Sequence, residues 1–185
     1  MSNRYITSHF PLISILLFSL AFAIFVQGFI LGKLVDLGIY SGMREFISES
    51  EIKLTLLFLL LLFFFMVFSA LKLIADTTIE LSMLFFSKDE EGNELNKVRI
   101  GTWIYLVASV LTILLAQYIL FVVVLFLVAS LSYFVFLVYK VRTTFSLSGL
   151  IGLILFQVIF WSAFLLAIVL ALVKLYNSFM ASLPL

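Results

Sequence analysis

The chain has 185 residues, of which 65% are hydrophobic, 17% are aromatic and only 11% are charged. Soluble domains are about half apolar and about a quarter charged, so a fold of this length lacks the polar surface that water requires. The sequence is therefore that of an integral membrane protein. Its formal net charge of +1 excludes a general electrostatic attraction to nucleic acid, and no nucleic-acid partner is expected.

The counts of cysteine and histidine exclude several kinds of chemistry. There is no cysteine, and His9, close to the N-terminus, is the one histidine. The absence of thiols excludes disulfides, cysteine-held zinc, iron–sulfur clusters and thiol catalysis. No histidine is available inside the membrane to activate a serine. We therefore expect no catalytic residue, no metal site and no cofactor, and we do not expect an enzyme.

Long uncharged runs predict the membrane spans. A helix needs about 20 apolar residues to cross a hydrocarbon core about 30 Å thick. The uncharged run over 100–139 would be about 60 Å long as one straight helix, so we divide it at a turn near Gln117 and Tyr118. The prediction is an all-α, polytopic transmembrane helix bundle with five spans, and four spans are the alternative. The five spans are predicted at about 10–32, 52–73, 100–117, 119–139 and 149–172.

The positions of lysine and arginine favour five spans over four. Five spans leave seven basic residues on one side of the membrane and four on the other, whereas four spans divide them six to five. The richer side comprises Arg4, Lys72, Lys88, Lys97, Arg99, Lys140 and Arg142. Because basic residues accumulate on the cytoplasmic side, the N-terminus is predicted inside and the C-terminus outside. The first span contains a small-x-small pattern at 21–23, but its apolar run continues beyond that pattern, which favours an uncleaved anchor.

The connection between the first two spans has two local signals. The stretch Ser41–Ile47 mixes charged and apolar residues and is predicted to be a short helix on the membrane surface. Ser48 and Glu51 have the spacing of a capping box, in which each side chain bonds to the backbone N–H of the other residue. The second spanning helix is therefore predicted to begin at Ser48.

Lys72, Asp76 and Glu80 form the most suggestive polar constellation. They lie four residues apart, so they stack on one face of a helix. Ionisable residues inside a bilayer are usually functional, and this polar column could carry protons or hold an ion. If the second helix enters the membrane near Lys53, however, Lys72 reaches the inner interface and the two carboxylates lie beyond it. The interfacial ion-pair ladder is the favoured interpretation, and a transport site is the alternative.

Three amides lie within the predicted spans: Gln27, Gln117 and Gln157. A buried amide in lipid finds a partner across a helix interface, so these residues are predicted to join helices. Gln117 could instead mark the outer turn. Small residues at four-residue spacing predict close helix packing, either within the bundle or against another subunit. These are Gly28 and Gly32 in the first span and Ala163, Ala167 and Ala171 in the last.

Several stretches of the chain are similar to a known family. They are PLISILLF (11–18), FMVFSALKLIA (65–75), LSMLFFSKDEEG (81–92), GLIGLILFQVIFW (149–161) and KLYNSFMASLPL (174–185). In these stretches the chain resembles the YufK-like small membrane proteins of Bacillus-type bacteria, over nearly its whole length. The resemblance implies a bacterial plasma-membrane protein of uncharacterised function, and it supplies no catalytic residues.

The sequence supports two hypotheses about function. The favoured one is a non-enzymatic accessory or helper component of a membrane complex, whose partners are the lipid bilayer and another membrane protein or a second copy of itself. The alternative is a small transporter or channel that uses Lys72, Asp76 and Glu80. Substituting the two carboxylates separates the hypotheses, because only the second requires them.

Overall fold

The computed structural model describes residues 4–87 and 98–182, with side chains from His9 onward, and in these ranges the chain is helical without a strand. The α-helices are α1 (Arg4–Asp36), α2 (Ile39–Phe46), α3 (Glu49–Phe86), α4 (Thr102–Leu114), α5 (Ile119–Val141) and α6 (Leu147–Ser182). A 3-10 turn, Arg99–Gly101, leads into α4. The predicted all-α fold is confirmed over the described residues.

Four of the described helices are long and apolar enough to cross a membrane, judged by length and composition. They are His9–Asp36, Glu49–Phe86, Ile119–Val141 and Leu147–Ser182, whereas the helical segment Arg99–Leu114 is apolar but shorter. The break between α4 and α5 lies at residues 115–118. Here the N–H of Tyr118 donates to the carbonyl of Leu115 at 2.9 Å, three residues back, so the α-helical pattern stops.

The connection from α1 to α3 contains both of the predicted local features. Gly38 has a φ of 70°, in the left-handed region that glycine adopts readily, and the chain turns there into the short helix α2. The capping box is present: the N–H of Glu51 donates to the Ser48 hydroxyl at 3.3 Å, and the N–H of Ser48 donates to the Glu51 carboxylate at 2.9 Å. The start of α3 is therefore fixed by its own sequence.

In the bundle α1 packs along α3 and α4, and α4 packs along α5. Three clusters of buried residues lie along its length. The cluster nearest the turn between α4 and α5 contains Ala21, Ala116 and Val122. The middle cluster contains Phe18, Phe68, Ala108 and Ala129. The cluster at the opposite end contains Ile79, Met83, Val98, Leu137, Val141, Phe145 and Leu153.

Two helices extend well beyond the segments predicted to cross the membrane. α3 continues without a break to Phe86, because Ile79 and Met83 in its last turns pack into the third cluster. α6 contacts α3 through its first turns, where Gly149 and Gly152 lie against Phe86. Its later part leaves the bundle, and all of residues 165–182 are exposed. The gap between α6 and the other helices forms one side of the site described below.

Candidate functional site: a charged pair in a cavity of the bundle

A cavity of about 630 Å³ lies between α1, α3, α4, α5 and α6. This volume lies within the range of small-molecule sites in proteins. Most of its walls are aliphatic or aromatic. At one end the rings of Phe18, Phe68 and Phe126 contact one another, with centroids 5.3–5.8 Å apart. The cavity therefore offers an apolar environment to whatever enters it.

Lys72 and Asp76 form an ion pair in the wall of this cavity. They are four residues apart on α3, so the ammonium lies beside the carboxylate and donates to both of its oxygens. The two side chains are partly exposed, at 33% and 48%. No other charged side chain of the described chain lines the cavity. The pair is thus a neutral but strongly polar feature in apolar surroundings.

Five hydroxyl-bearing side chains line the same cavity as the charged pair, and two of them, Ser14 and Thr102, donate to the backbone carbonyls of Phe10 and Arg99. The Tyr105 hydroxyl on α4 donates to the Ser130 hydroxyl on α5 at 3.3 Å, and Ser130 donates to the carbonyl of Phe126 at 2.9 Å. The ring of Tyr133 packs 5.4 Å from the ring of Tyr105. Among the described residues the Tyr133 hydroxyl has no hydrogen-bond partner. It is therefore free to bond to a molecule in the cavity.

Gln157 joins α6 to α3 at another edge of the cavity. Its side-chain amide donates to the Ser82 hydroxyl at 2.9 Å, and its carbonyl oxygen accepts from the Trp161 indole at 3.1 Å. Gln157 is 3% exposed, so these bonds satisfy an amide that is buried away from both water and lipid. The network orients Trp161, which is itself part of the cavity wall.

The structure separates the third member of the predicted polar column from the other two. Lys72 and Asp76 line the cavity, but Glu80 is exposed, does not line it and forms no ion pair within the described part of the chain. Four residues advance the helix by about 40° beyond a full turn, so a column with this spacing drifts around the axis. Over eight residues the drift turns Glu80 away from the cavity.

The other predicted site residues lie away from the cavity. Gln27 donates to the backbone carbonyl of Lys53 at 2.5 Å and so connects α1 to α3, and Gln117 is exposed in the turn after α4. A Cβ atom added at Gly28 or Gly32 would meet nothing within 4 Å. The alanines of α6 are likewise exposed: Ala163, Ala167 and Ala171. In the described chain these small residues do not pack one helix against another.

Comparison with known proteins places the chain in a family. Residues 27–184 match a family of unknown function, DUF5366. The chain is 48% identical over 184 residues to the uncharacterized membrane protein YufK of Bacillus subtilis (strain 168), and the match covers 100% of both chains. The chain belongs to this family. The resemblance predicted from its sequence is thus confirmed, and no solved structure matches it.

Membership in this family agrees with the composition and the long apolar helices, so the chain is a helical membrane protein. The family name assigns no reaction, ligand or partner. Within the described residues, no group of three or more histidine, cysteine, aspartate or glutamate side chains is placed to hold a metal ion. The charged pair, the surrounding hydroxyls and the amide of Gln157 are the polar side chains that the bundle brings together around the cavity.

Sequence reasoning identified Lys72, Asp76 and Gln157 but missed the hydroxyl groups. Tyr105, Ser130 and Tyr133 lie on two different helices, and their proximity depends on how α4 and α5 align. One signal was present. Tyr105 and Tyr133 lie within predicted spans rather than at their ends, where tyrosine is usually enriched.

Proposed function

We propose that the protein is a small transporter of the bacterial plasma membrane, and that the cavity beside Lys72 and Asp76 is its substrate site. The observation that carries the proposal is a lysine–aspartate pair that lines a cavity among long apolar helices. Charged side chains inside a bilayer are costly, and where they occur they commonly mark substrate or ion pathways. The proposed protein is non-enzymatic, since binding and passage require no bond to be broken.

Side-chain contacts between α3 and α5 support a deep position for the charged pair. Phe68, one turn before Lys72, contacts Phe126, and Ile79, one turn after Asp76, lies in the same buried cluster as Leu137. The pair therefore lies level with the middle of α5, a helix of 23 residues and about 35 Å. This length matches a hydrocarbon core of about 30 Å. If α5 crosses the membrane, Lys72 and Asp76 lie near its midplane rather than at the interface.

We further propose five spans, in which the short segment leading into α4 crosses the membrane as well. Val98 packs in the same cluster as Val141, and Ala116 packs in the same cluster as Val122. Residues 98–116 thus cover the same depth as α5, and both cross if either does. The excess of lysine and arginine on one side supports a cytoplasmic N-terminus and an external C-terminus.

The second candidate function is an accessory or helper component of a membrane complex. The observation that favours it is the part of α6 that leaves the bundle, where residues 165–182 are exposed. Ala171 lies on this segment, and with Ala163 and Ala167 it provides small residues at four-residue spacing against which another membrane helix could pack closely. In this case the partner is another membrane protein or a second copy of the chain.

One experiment separates the two candidates. The protein is purified gently from native membranes, and the mass of the intact complex is measured by native mass spectrometry. If the protein is a transporter, the purified complex is expected to retain a small molecule. The retained amount is expected to fall at least about tenfold in Asp76→Asn, because that substitution leaves Lys72 unpaired in the cavity. Glu80→Gln is the matched control, since Glu80 lies outside the cavity and its removal should leave retention unchanged.

Two results would contradict the transporter proposal. One is the absence of any bound small molecule, and a stoichiometric protein partner in the same preparation would then support the accessory function instead. The other is a small molecule that Asp76→Asn and Glu80→Gln retain equally, which would show that the bound molecule does not depend on the charged pair.

A further inference from the structure

We infer that the cavity binds an uncharged, single-chain amphiphile, with a hydroxyl-bearing head at Lys72 and Asp76 and a hydrocarbon chain along the apolar walls. This inference rests on the proposed function and names the substrate class of the same site. A monoacylglycerol, whose head carries two hydroxyl groups, is a molecule of this class.

The charge balance of the cavity disfavours a head with a net charge. The ammonium of Lys72 and the carboxylate of Asp76 cancel, and no other charged side chain of the described residues lines the cavity. A ligand with a single fixed charge would add an unbalanced charge to an apolar environment, which is strongly unfavourable. An uncharged head keeps the site neutral.

The remaining hydrogen-bonding capacity of the cavity fits hydroxyl groups. A lysine ammonium has three N–H donors, and the two contacts with Asp76 leave one of them for a ligand. The Tyr133 hydroxyl, which has no partner among the described residues, supplies a second group. The carboxylate of Asp76 has lone pairs left to accept from a ligand. A head that both donates and accepts hydrogen bonds satisfies all three residues together.

The shape of the cavity accounts for the hydrocarbon chain. Leu131 on α5 and Leu165 on α6 line the cavity and are nevertheless 66% and 58% exposed. The wall is therefore open between these two helices, which separate after the turn that joins them. In a bilayer this opening faces lipid, so an amphiphile can enter from the membrane with its chain still among the lipid tails.

The chain offers a direct optical test, because Trp161 lines the cavity whereas Trp103 packs on Phe10 outside it. Trp103→Phe leaves Trp161 as the one tryptophan of the 185 residues. This protein is placed in lipid nanodiscs and titrated with three probes that have the same brominated alkyl chain, since bromine quenches tryptophan fluorescence on contact. The probes are a monoacylglycerol, an alkyl sulfonate and an alkyl trimethylammonium, and the charges of the last two are fixed at every pH.

The monoacylglycerol is expected to quench Trp161 at a mole fraction about tenfold lower than either charged probe. In the same background Lys72→Met leaves a negative cavity and should reverse the preference toward the trimethylammonium probe, and Asp76→Asn should reverse it toward the sulfonate. The matched controls are Lys33→Met and Asp36→Asn, which alter an ion pair on α1 outside the cavity and should preserve the preference. If the single variants do not fold, Lys72→Met with Asp76→Leu keeps the cavity neutral but removes the groups that hold the head, and it should bind the monoacylglycerol about tenfold more weakly than the unmodified cavity.

The possible failures are distinguishable. If a charged probe binds the unmodified cavity as tightly as the monoacylglycerol, the inference about the head is wrong, although the site proposed above stands. If the apolar double variant binds the monoacylglycerol as tightly as the unmodified cavity does, the charged pair does not hold the head, and the inference is again wrong. If none of the probes quenches Trp161 beyond the level of random lipid contact, the cavity is not a site for amphiphiles. Absence of any retained small molecule in native mass spectrometry would overturn the proposed function itself.

Discussion

Replacing Lys72 by methionine, or Asp76 by asparagine, is expected to lower the free energy of unfolding by about 1–3 kcal/mol, between the costs of breaking an exposed and a buried ion pair. Lys72→Met leaves the Asp76 carboxylate without its partner in an apolar cavity, and Asp76→Asn leaves the Lys72 ammonium without its charged partner. We place the cost between the exposed and the buried case because the side chains of Lys72 and Asp76 are 33% and 48% exposed. The double variant Lys72→Met with Asp76→Leu is expected to stay within about 1 kcal/mol of the wild type, since it removes both charges together.

The measurement is a denaturant titration of each variant in mixed micelles. The matched control is Lys33→Met, which breaks the exposed Lys33–Asp36 pair on α1. Surface pairs contribute about 0–1 kcal/mol, so this control should change little. If Lys72→Met costs no more than Lys33→Met, or if the double variant costs as much as both single variants together, the pair does not lie in an apolar environment.

Gly149→Val is expected to lower the free energy of unfolding by about 1–3 kcal/mol, the usual cost of overpacking a well-packed interface. A Cβ atom at residue 149 would lie 2.6 Å from the backbone carbonyl oxygen of Phe86, so α6 would have to move away from α3. The same movement would pull Gln157 from Ser82, because α6 carries Gln157. The bond between these side chains should therefore be lost in the variant.

Gly28→Ala, in contrast, is expected to raise the free energy of unfolding. A Cβ atom there meets nothing within 4 Å, and replacing glycine by alanine in a helix interior stabilises it by about 0.5–1 kcal/mol. Thermal unfolding of both variants under one set of conditions tests the pair of predictions. Equal effects at Gly149 and Gly28 would mean that α6 does not pack closely on α3.

Local features of the fold could be predicted because a few neighbouring residues determine them. The capping box at Ser48 and Glu51 requires only those two side chains and the backbone between them. The ion pair of Lys72 and Asp76 follows from their four-residue spacing on one helix. The short helix before α3 and the break before α5 lie close to where the sequence predicts them.

The cavity could not be predicted, because it depends on the alignment of several helices that are distant in the chain. Hydropathy suggests that Lys72 lies at the membrane interface, since the apolar run of α3 ends at that residue. The packing of Phe68 and Ile79 instead brings Lys72 level with the middle of α5. Nothing in a single sequence specifies that alignment, or that Tyr105 and Tyr133 meet beside the pair.

The deep position of the Lys72–Asp76 pair is tested most directly by cysteine labelling, which is simple because the natural chain has no cysteine. Ala75 lines the cavity between the two charged residues, Gln117 is exposed in the turn after α4, and Ser148 is exposed at the start of α6. Each is replaced singly by cysteine in sealed membrane vesicles. The vesicles are treated from either side with a maleimide on a bulky polyethylene glycol, and separately with small N-ethylmaleimide, which crosses the bilayer.

We predict that the bulky reagent labels Gln117→Cys only from the outer side and Ser148→Cys only from the cytoplasmic side. Ala75→Cys is predicted to react with N-ethylmaleimide but with the bulky reagent from neither side, because the charged pair lies within the membrane. Labelling of Ala75→Cys by the bulky reagent from the cytoplasmic side, at the rate of Ser148→Cys, would contradict the account and return Lys72 and Asp76 to the interface.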